Sequence, residues 1–197
     1  MKILTIADQE EKILWDYFRP GQLDDVDLIL SAGDLDPRYL SFLVTMAKCP
    51  LLYVHGNHDG HYDYTPPEGC FCIEDEIFLW KGIRILGLGG SIRYNPGPHQ
   101  YSQREMDFRC KKLYWKLKKH KGFDILLTHS PAFGLGDDPS SASHIGFQAF
   151  NRLLDQYQPA YMVHGHVHLN YGYQLPRQRS YGPTTVVNAC GRWEIQL

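Results

Sequence analysis

The chain has 197 residues, of which 43% are hydrophobic and 21% charged, a balance that excludes an intrinsically disordered protein and suits one globular core. Twenty Lys and Arg against 22 Asp and Glu leave a net charge of −2, which excludes a surface built as a basic glove for nucleic acid. Ten histidines stand against five cysteines, a bias toward metal or proton chemistry.

The chain opens on a short apolar run that meets Asp8, Glu10 and Glu11 with no signal-peptide pattern. No stretch approaches the ~20 apolar residues needed to span a bilayer, so no membrane partner is expected. The odd, irregularly spaced cysteines read as reduced thiols, and the expected location is the cytoplasm. One domain over residues 1–197 is expected.

Apolar runs that stop abruptly at polar residues or glycine occupy 2–7, 27–32, 51–55, 83–88, 123–128, 160–163 and 184–187. They predict strands buried on both faces. Between the first two, a helix is expected to run to Phe18. Asp36-Pro37-Arg38 sets an N-cap before a proline at the first helical position and predicts a helix to about Lys48. Cys70-Phe71-Cys72 reads as a half-buried strand rather than half a zinc site, since no second Cys pair follows. Residues 89–101, rich in Gly, Pro, Asn and Tyr, form one long irregular segment of the kind that carries function or moves. Ser102 and Glu105 have capping-box spacing ahead of a helix over 106–120, and Pro159 closes a helix over 145–157. This alternation predicts an α/β fold with largely parallel strands, and the spacing over 70–88 and 170–197 adds antiparallel ones.

The chemistry stands at the strand ends. Asp8 follows the first run, Gly33-Asp34 the second and Gly56-Asn57-His58-Asp59 the third, while His129 follows the run from 123 and Gly165-His166-Val167-His168 the run from 160. Each alone is an ordinary turn former. Together, at the carboxyl ends of parallel strands, they deliver O and N ligands to one crevice, as a metal site requires.

This series resembles the calcineurin-like metallophosphoesterase superfamily, in particular its small bacterial-type members, whose motifs run D-x-H, G-D, G-N-H-[DE], H and G-H-x-H in this order. The resemblance implies a four-layer α-β-β-α sandwich of two mixed sheets flanked by helices, with two divalent metal ions. It implies that Asp34 bridges the metals, that Asn57, His129 and His166 complete one site, and that Asp8 and His168 bind the other metal. It further implies hydrolysis of a small phosphate ester by a metal-bridging hydroxide, with His58 assisting the leaving group and Asp59 orienting His58. A phosphodiester is expected ahead of a phosphomonoester. Carboxylates, an amide and imidazoles without thiolate favour Mn²⁺, with Fe, Zn²⁺ and Mg²⁺ as alternatives.

One position departs from the pattern. Where D-x-H has histidine, this chain has Glu10, which reads either as a further metal ligand or as a first-turn residue favoured by the helix dipole. That departure motivates a competing reading, a binding module on a weakened site, although a decayed site has no chemical reason to keep His58 and Asp59. His55 and His164 read as outer partners of the ligands or packed strand-end residues, and His99 and His120 have no role. His144 reads as a substrate contact or a helix-start residue, and Arg93 as a phosphate clamp or a solvated side chain. Tyr94 and Tyr101 suit an aromatic wall for the substrate, packing of the loop, or a contact between two copies in a homodimer. The basic helix around Arg109 lacks interleaved stacking aromatics, which argues against nucleic acid.

Overall fold

The structure is a computed structural model and describes residues 1–169 and 176–197. The N-terminal half supplies β1 (Lys2–Ala7), β2 (Leu28–Ser31), α1 (Pro37–Met46), β3 (Leu51–Tyr53), β4 (Phe71–Cys72), β5 (Ile77–Trp80) and β6 (Ile83–Leu88). The short strands β7 (Ser91–Ile92) and β8 (Gln100–Tyr101) pair within the irregular segment. There follow α2 (Gln103–Lys112), α3 (Tyr114–His120), β9 (Ile125–Thr128), α4 (Gln148–Tyr157) and β10 (Tyr161–His164), and the chain closes with β11 (Gln178–Tyr181), β12 (Thr184–Asn188) and β13 (Gly191–Gln196).

Two mixed sheets form the centre. One has the order β13-β1-β2-β3-β4, parallel except for β13, and the other β11-β12-β10-β9-β6-β5, parallel except for its two edge strands. Period-two alternation explains the layering. Ile3, Ala7, Leu28 and Leu30 point inward and meet Ile85, Ile125, Leu127 and Val163 of the other sheet. Their neighbours Leu4, Ile6 and Ile29 point outward onto Tyr39, Leu40 and Leu43 of α1. On the far side, Leu86, Leu126 and Met162 pack on Met106 of α2 and Phe150 and Leu154 of α4. The result is the expected α-β-β-α sandwich.

The helix signals hold where caps are made. Asp36 accepts from the Arg38 amide at the start of α1, and Ser102 and Glu105 form both bonds of their capping box at α2. Four local expectations are corrected. The helix expected to end at Phe18 is only a 3₁₀ turn at Lys12–Leu14, because the segment is spent placing Leu14, Leu23 and Val26 against the outer core by successive turns. The helix over 106–120 breaks at Leu113, whose amide reaches back three residues to Cys110. Residues 145–147 are not helical, since Phe147 exchanges backbone bonds with Pro131 and Phe133 before α4 begins. Phe71 and Cys72 do form a strand, but as an exposed sheet edge. The expected antiparallel return over 170–197 holds only in part: β11 and β13 pair antiparallel with β12 and β1, but β12 runs parallel to β10, and residues 170–175 lie outside the described residues. Among the described residues no helix is long and apolar enough to cross a membrane.

Candidate metal centre

Asp8, Asp34, Asn57, His129 and His166 follow the carboxyl ends of the parallel strands β1, β2, β3, β9 and β10. Hydrogen bonds then fix how each ring presents itself. His129 is fully buried, and its Nδ1 lies 2.8 Å from the Ala32 carbonyl, which only accepts. That nitrogen therefore holds the proton, and Nε2 faces Asn57 Oδ1 at 3.0 Å, His166 Nδ1 at 3.1 Å and Asp34 Oδ2 at 3.4 Å. His166 Nε2 is likewise held by the Ser143 carbonyl at 2.7 Å, which leaves Nδ1 as the inward lone pair. Asn57 Nδ2 donates to Tyr94 Oη at 3.1 Å, so its Oδ1 is the atom turned to His129. Four acceptor atoms converge with no proton required between them. A divalent cation is the group that fits such a donor set.

The charges in this knot act on one another. Burial works against ionised Asp34, but His129 outweighs it and holds the carboxyl far below the usual range. Burial likewise opposes a charge on His129, yet Asp34 and Asp8 raise it to about 9. His166 is pushed down by burial and by the His129 charge beside it. Burial, with a contribution from Asp34, lifts Asp8 to about 7.

The backbone is bent to make this site. Asp8, Asp34 and His166 have φ of 63°, 56° and 68°, a region that non-glycine residues rarely occupy and that tends to persist at functional sites. Asp8 and His166 each sit at the centre of a three-residue turn, closed by Gln9 N to Ala7 O at 2.7 Å and Val167 N to Gly165 O at 2.8 Å. The two turns lock together, because both Asp8 oxygens accept from the His166 amide at 3.0 Å. Gly56 is required by a close approach, since a Cβ there would stand 2.0 Å from Asp34 Oδ1.

The remaining expected residues fall into three groups. His58, His144 and His168 line a cleft of about 210 Å³ together with Asp34, Asn57 and Tyr94. His144 Nδ1 is 2.9 Å from Ser141 Oγ, and its ring centre is 5.0 Å from that of His166. His168 contacts Gln9 through Nδ1 at 3.4 Å. Asp59 is buried beside the cleft and makes a different contact from the one expected: its Oδ2 accepts from the Asp34 and Gly56 amides at 2.8 and 2.7 Å, stapling two motif loops rather than orienting the His58 ring. Glu10 and Arg93 stand elsewhere. Glu10 is exposed and accepts from the Asp36 amide at 2.9 Å, in a separate surface depression with Lys12 and Trp15. Arg93 binds Glu105 at 3.0 Å and the Gln100 carbonyl at 3.1 Å and does not line the cleft.

Sequence reasoning misses the groups that orient the ligands. The Ala32 and Ser143 carbonyls carry no residue-type signal, and Tyr94 reads from the sequence as an aromatic wall, a packing residue or a contact between copies.

Fold and site together define an α/β sandwich with a candidate metal-ligand cluster on the loops after its parallel strands. The chain belongs to the calcineurin-like phosphoesterase family, whose model matches residues 7–170. It is similar to the UPF0046 protein T07D4.2 of Caenorhabditis elegans, at 34% identity over 121 residues, covering 60% of this chain and 28% of that protein. A second C. elegans relative, UPF0046 protein K07C11.7, is 25% identical over 216 residues, covering 96% of this chain and 69% of the relative. The matched part thus spans under a third of the first relative. Among solved structures, TT1561 of Thermus thermophilus superposes with a TM-score of 0.59 at 17% identity, covering 96% of this chain and 89% of that one. Another solved chain reaches 0.70 at 14% identity over 98% and 94%. At such identities the likeness is one of fold.

Proposed function

We propose that the protein is a metal-dependent phosphoesterase acting on a small phosphate ester, a phosphodiester ahead of a phosphomonoester. The observation that carries this reading is the convergence of His129 Nε2, His166 Nδ1, Asn57 Oδ1 and Asp34 Oδ2 on one point. Asp34 would be shared between that position and a second one served by Asp8 and His168. Bound divalent metals, Mn²⁺ favoured, supply Lewis acidity at the phosphoryl oxygens and a more acidic water for attack.

The protein's own groups supply the rest. His58 stands in the cleft, with its amide anchored on Asp34 Oδ1 at 2.8 Å, and its ring is the proton donor to the departing oxygen. Asp59 supports His58 through the backbone, by fixing the loop that carries it. His144 offers a contact to the ester's substituent. A cleft of about 210 Å³ is below the ~300–1,000 Å³ of drug-sized pockets, which favours a phosphoryl group with a small substituent.

Hydrolysis of bis(p-nitrophenyl) phosphate with Mn²⁺ tests the reading. Turnover is expected, with His58→Ala lowering kcat by about 10²–10⁴-fold at unchanged metal content. No turnover, or a His58→Ala variant as active as wild type, overturns it in favour of a binding module, the reading that Glu10's distance from the ligands supports.

A further inference from the structure

We propose that His55, Asp63 and His99 form a second, separate transition-metal site that takes zinc. None of the three lines the catalytic cleft, and the proposal does not depend on the phosphoesterase reading. One nitrogen of each ring and one carboxylate oxygen of Asp63 lie within 4.8 Å of one another. The rings stack, with centres 4.4 Å apart and planes 9° from parallel.

Two further observations set this cluster apart from a chance meeting of polar side chains. His99 Nε2 is shielded from solvent and has no hydrogen-bond partner among the described residues, whereas buried ring nitrogens are ordinarily satisfied. His99 is also held at a φ of 47°, a backbone conformation with a steric cost for any residue bearing a Cβ. His55, for its part, turns Nδ1 toward Glu74 Oε1 at 3.4 Å, and Glu74 is itself tied to Arg109. A carboxylate on one ring nitrogen is the usual way a metal-binding histidine is oriented through the other.

Two imidazoles and one carboxylate suit zinc better than the hard cations Mg²⁺ or Ca²⁺, with water as the fourth ligand. Tetrahedral zinc with bonds of about 2.0–2.1 Å holds its ligand atoms about 3.4 Å apart. The cluster closes to that size by side-chain rotation, which unstacks the rings. An ion there would bind the loop carrying His99 and Tyr94 to the turn carrying Asp63. The two already touch, since Pro98 packs on Gly60.

The test separates the two centres by mutation. His129→Ala removes a ligand of the main centre, and after equilibrium dialysis against zinc this variant is expected to retain one equivalent at His55, Asp63 and His99, apart from any zinc still held at the position of Asp8 and His168. Adding Asp63→Asn or His99→Ala should weaken that remaining binding at least about tenfold. Cobalt bound to the His129→Ala protein should show a tetrahedral visible spectrum that either second substitution abolishes. Asp63 is exposed, so its replacement leaves the fold intact, as circular dichroism would verify. Loss of all zinc in His129→Ala alone, or zinc content and cobalt spectrum unchanged by Asp63→Asn and His99→Ala, overturns the proposal.

Discussion

His129 Nε2 and His166 Nδ1 face each other at 3.1 Å, while the other nitrogen of each ring is held by a backbone carbonyl. Two neutral imidazoles so anchored cannot hydrogen-bond to each other. Two lone pairs that face each other at that distance repel, and a cation between them removes the repulsion.

Tyr94 fixes which end of the Asn57 amide faces His129. Tyr94→Phe removes that one bond and little else, because the ring remains. Metal affinity at the main centre is expected to fall about 10–100-fold, as for other groups that orient a ligand. Thermal stability should change by less than about 0.5 kcal/mol. Isothermal titration with Mn²⁺ beside a melting curve reads both.

Gly56 has no room for a methyl group, since a Cβ would stand 2.7 Å from the Asp34 amide as well as 2.0 Å from its carboxylate. Gly56→Ala should therefore displace Asp34 and abolish metal binding. Gly134, with φ of 74° and nothing near its missing Cβ, is the control. Gly134→Ala should cost only the left-handed strain of about 1–2 kcal/mol and leave metal binding unchanged. Denaturant melts and metal content distinguish the two.

Glu10 serves the fold and not the ligands. Glu10→Ala removes an exposed bond to the Asp36 amide, so the expected loss is at most about 1.5 kcal/mol with metal content unchanged. A shift in metal preference or stoichiometry on substitution would return Glu10 to the ligand set.

Glu74 contributes to the acid stability. Burial would raise its carboxyl, but the His55 bond and the Arg109 charge outweigh that and hold it near 2, below its ordinary 4.5. The stabilisation, on the order of 3 kcal/mol, is present above pH 4.5 and is lost as pH falls toward 2. Glu74→Gln should lower the Tm at pH 7 by several degrees and converge on wild type in acid. Parallel curves from pH 7 down to pH 3 would contradict this.

How much was legible beforehand depended on the range of the interaction. Ile3 and Leu4 declare a strand with two buried faces by composition alone. Asp34, Asn57, His129 and His166 could be read because each stands where a strand stops, and parallel strands share that end. Glu10 could not. Its spacing from Asp8 suggested a ligand, but the tight turn at Asp8 redirects the chain and leaves Glu10 on the Asp36 amide. Arg93 was claimed by Glu105, a residue whose capping role was visible and whose second partner was not. Asp59 reads from the sequence as the partner of its neighbour His58, whereas in the fold its Oδ2 accepts from two backbone amides brought together by the loops after β2 and β3.

The central claim is that Asp34, Asn57, His129 and His166 hold a metal ion. An anomalous difference map from crystals grown with Mn²⁺ tests it most directly. A peak is expected bonded to His129 Nε2, His166 Nδ1, Asn57 Oδ1 and an Asp34 carboxylate oxygen, with both rings still on the Ala32 and Ser143 carbonyls. A map without that peak, in which the two rings keep their contact, would contradict it.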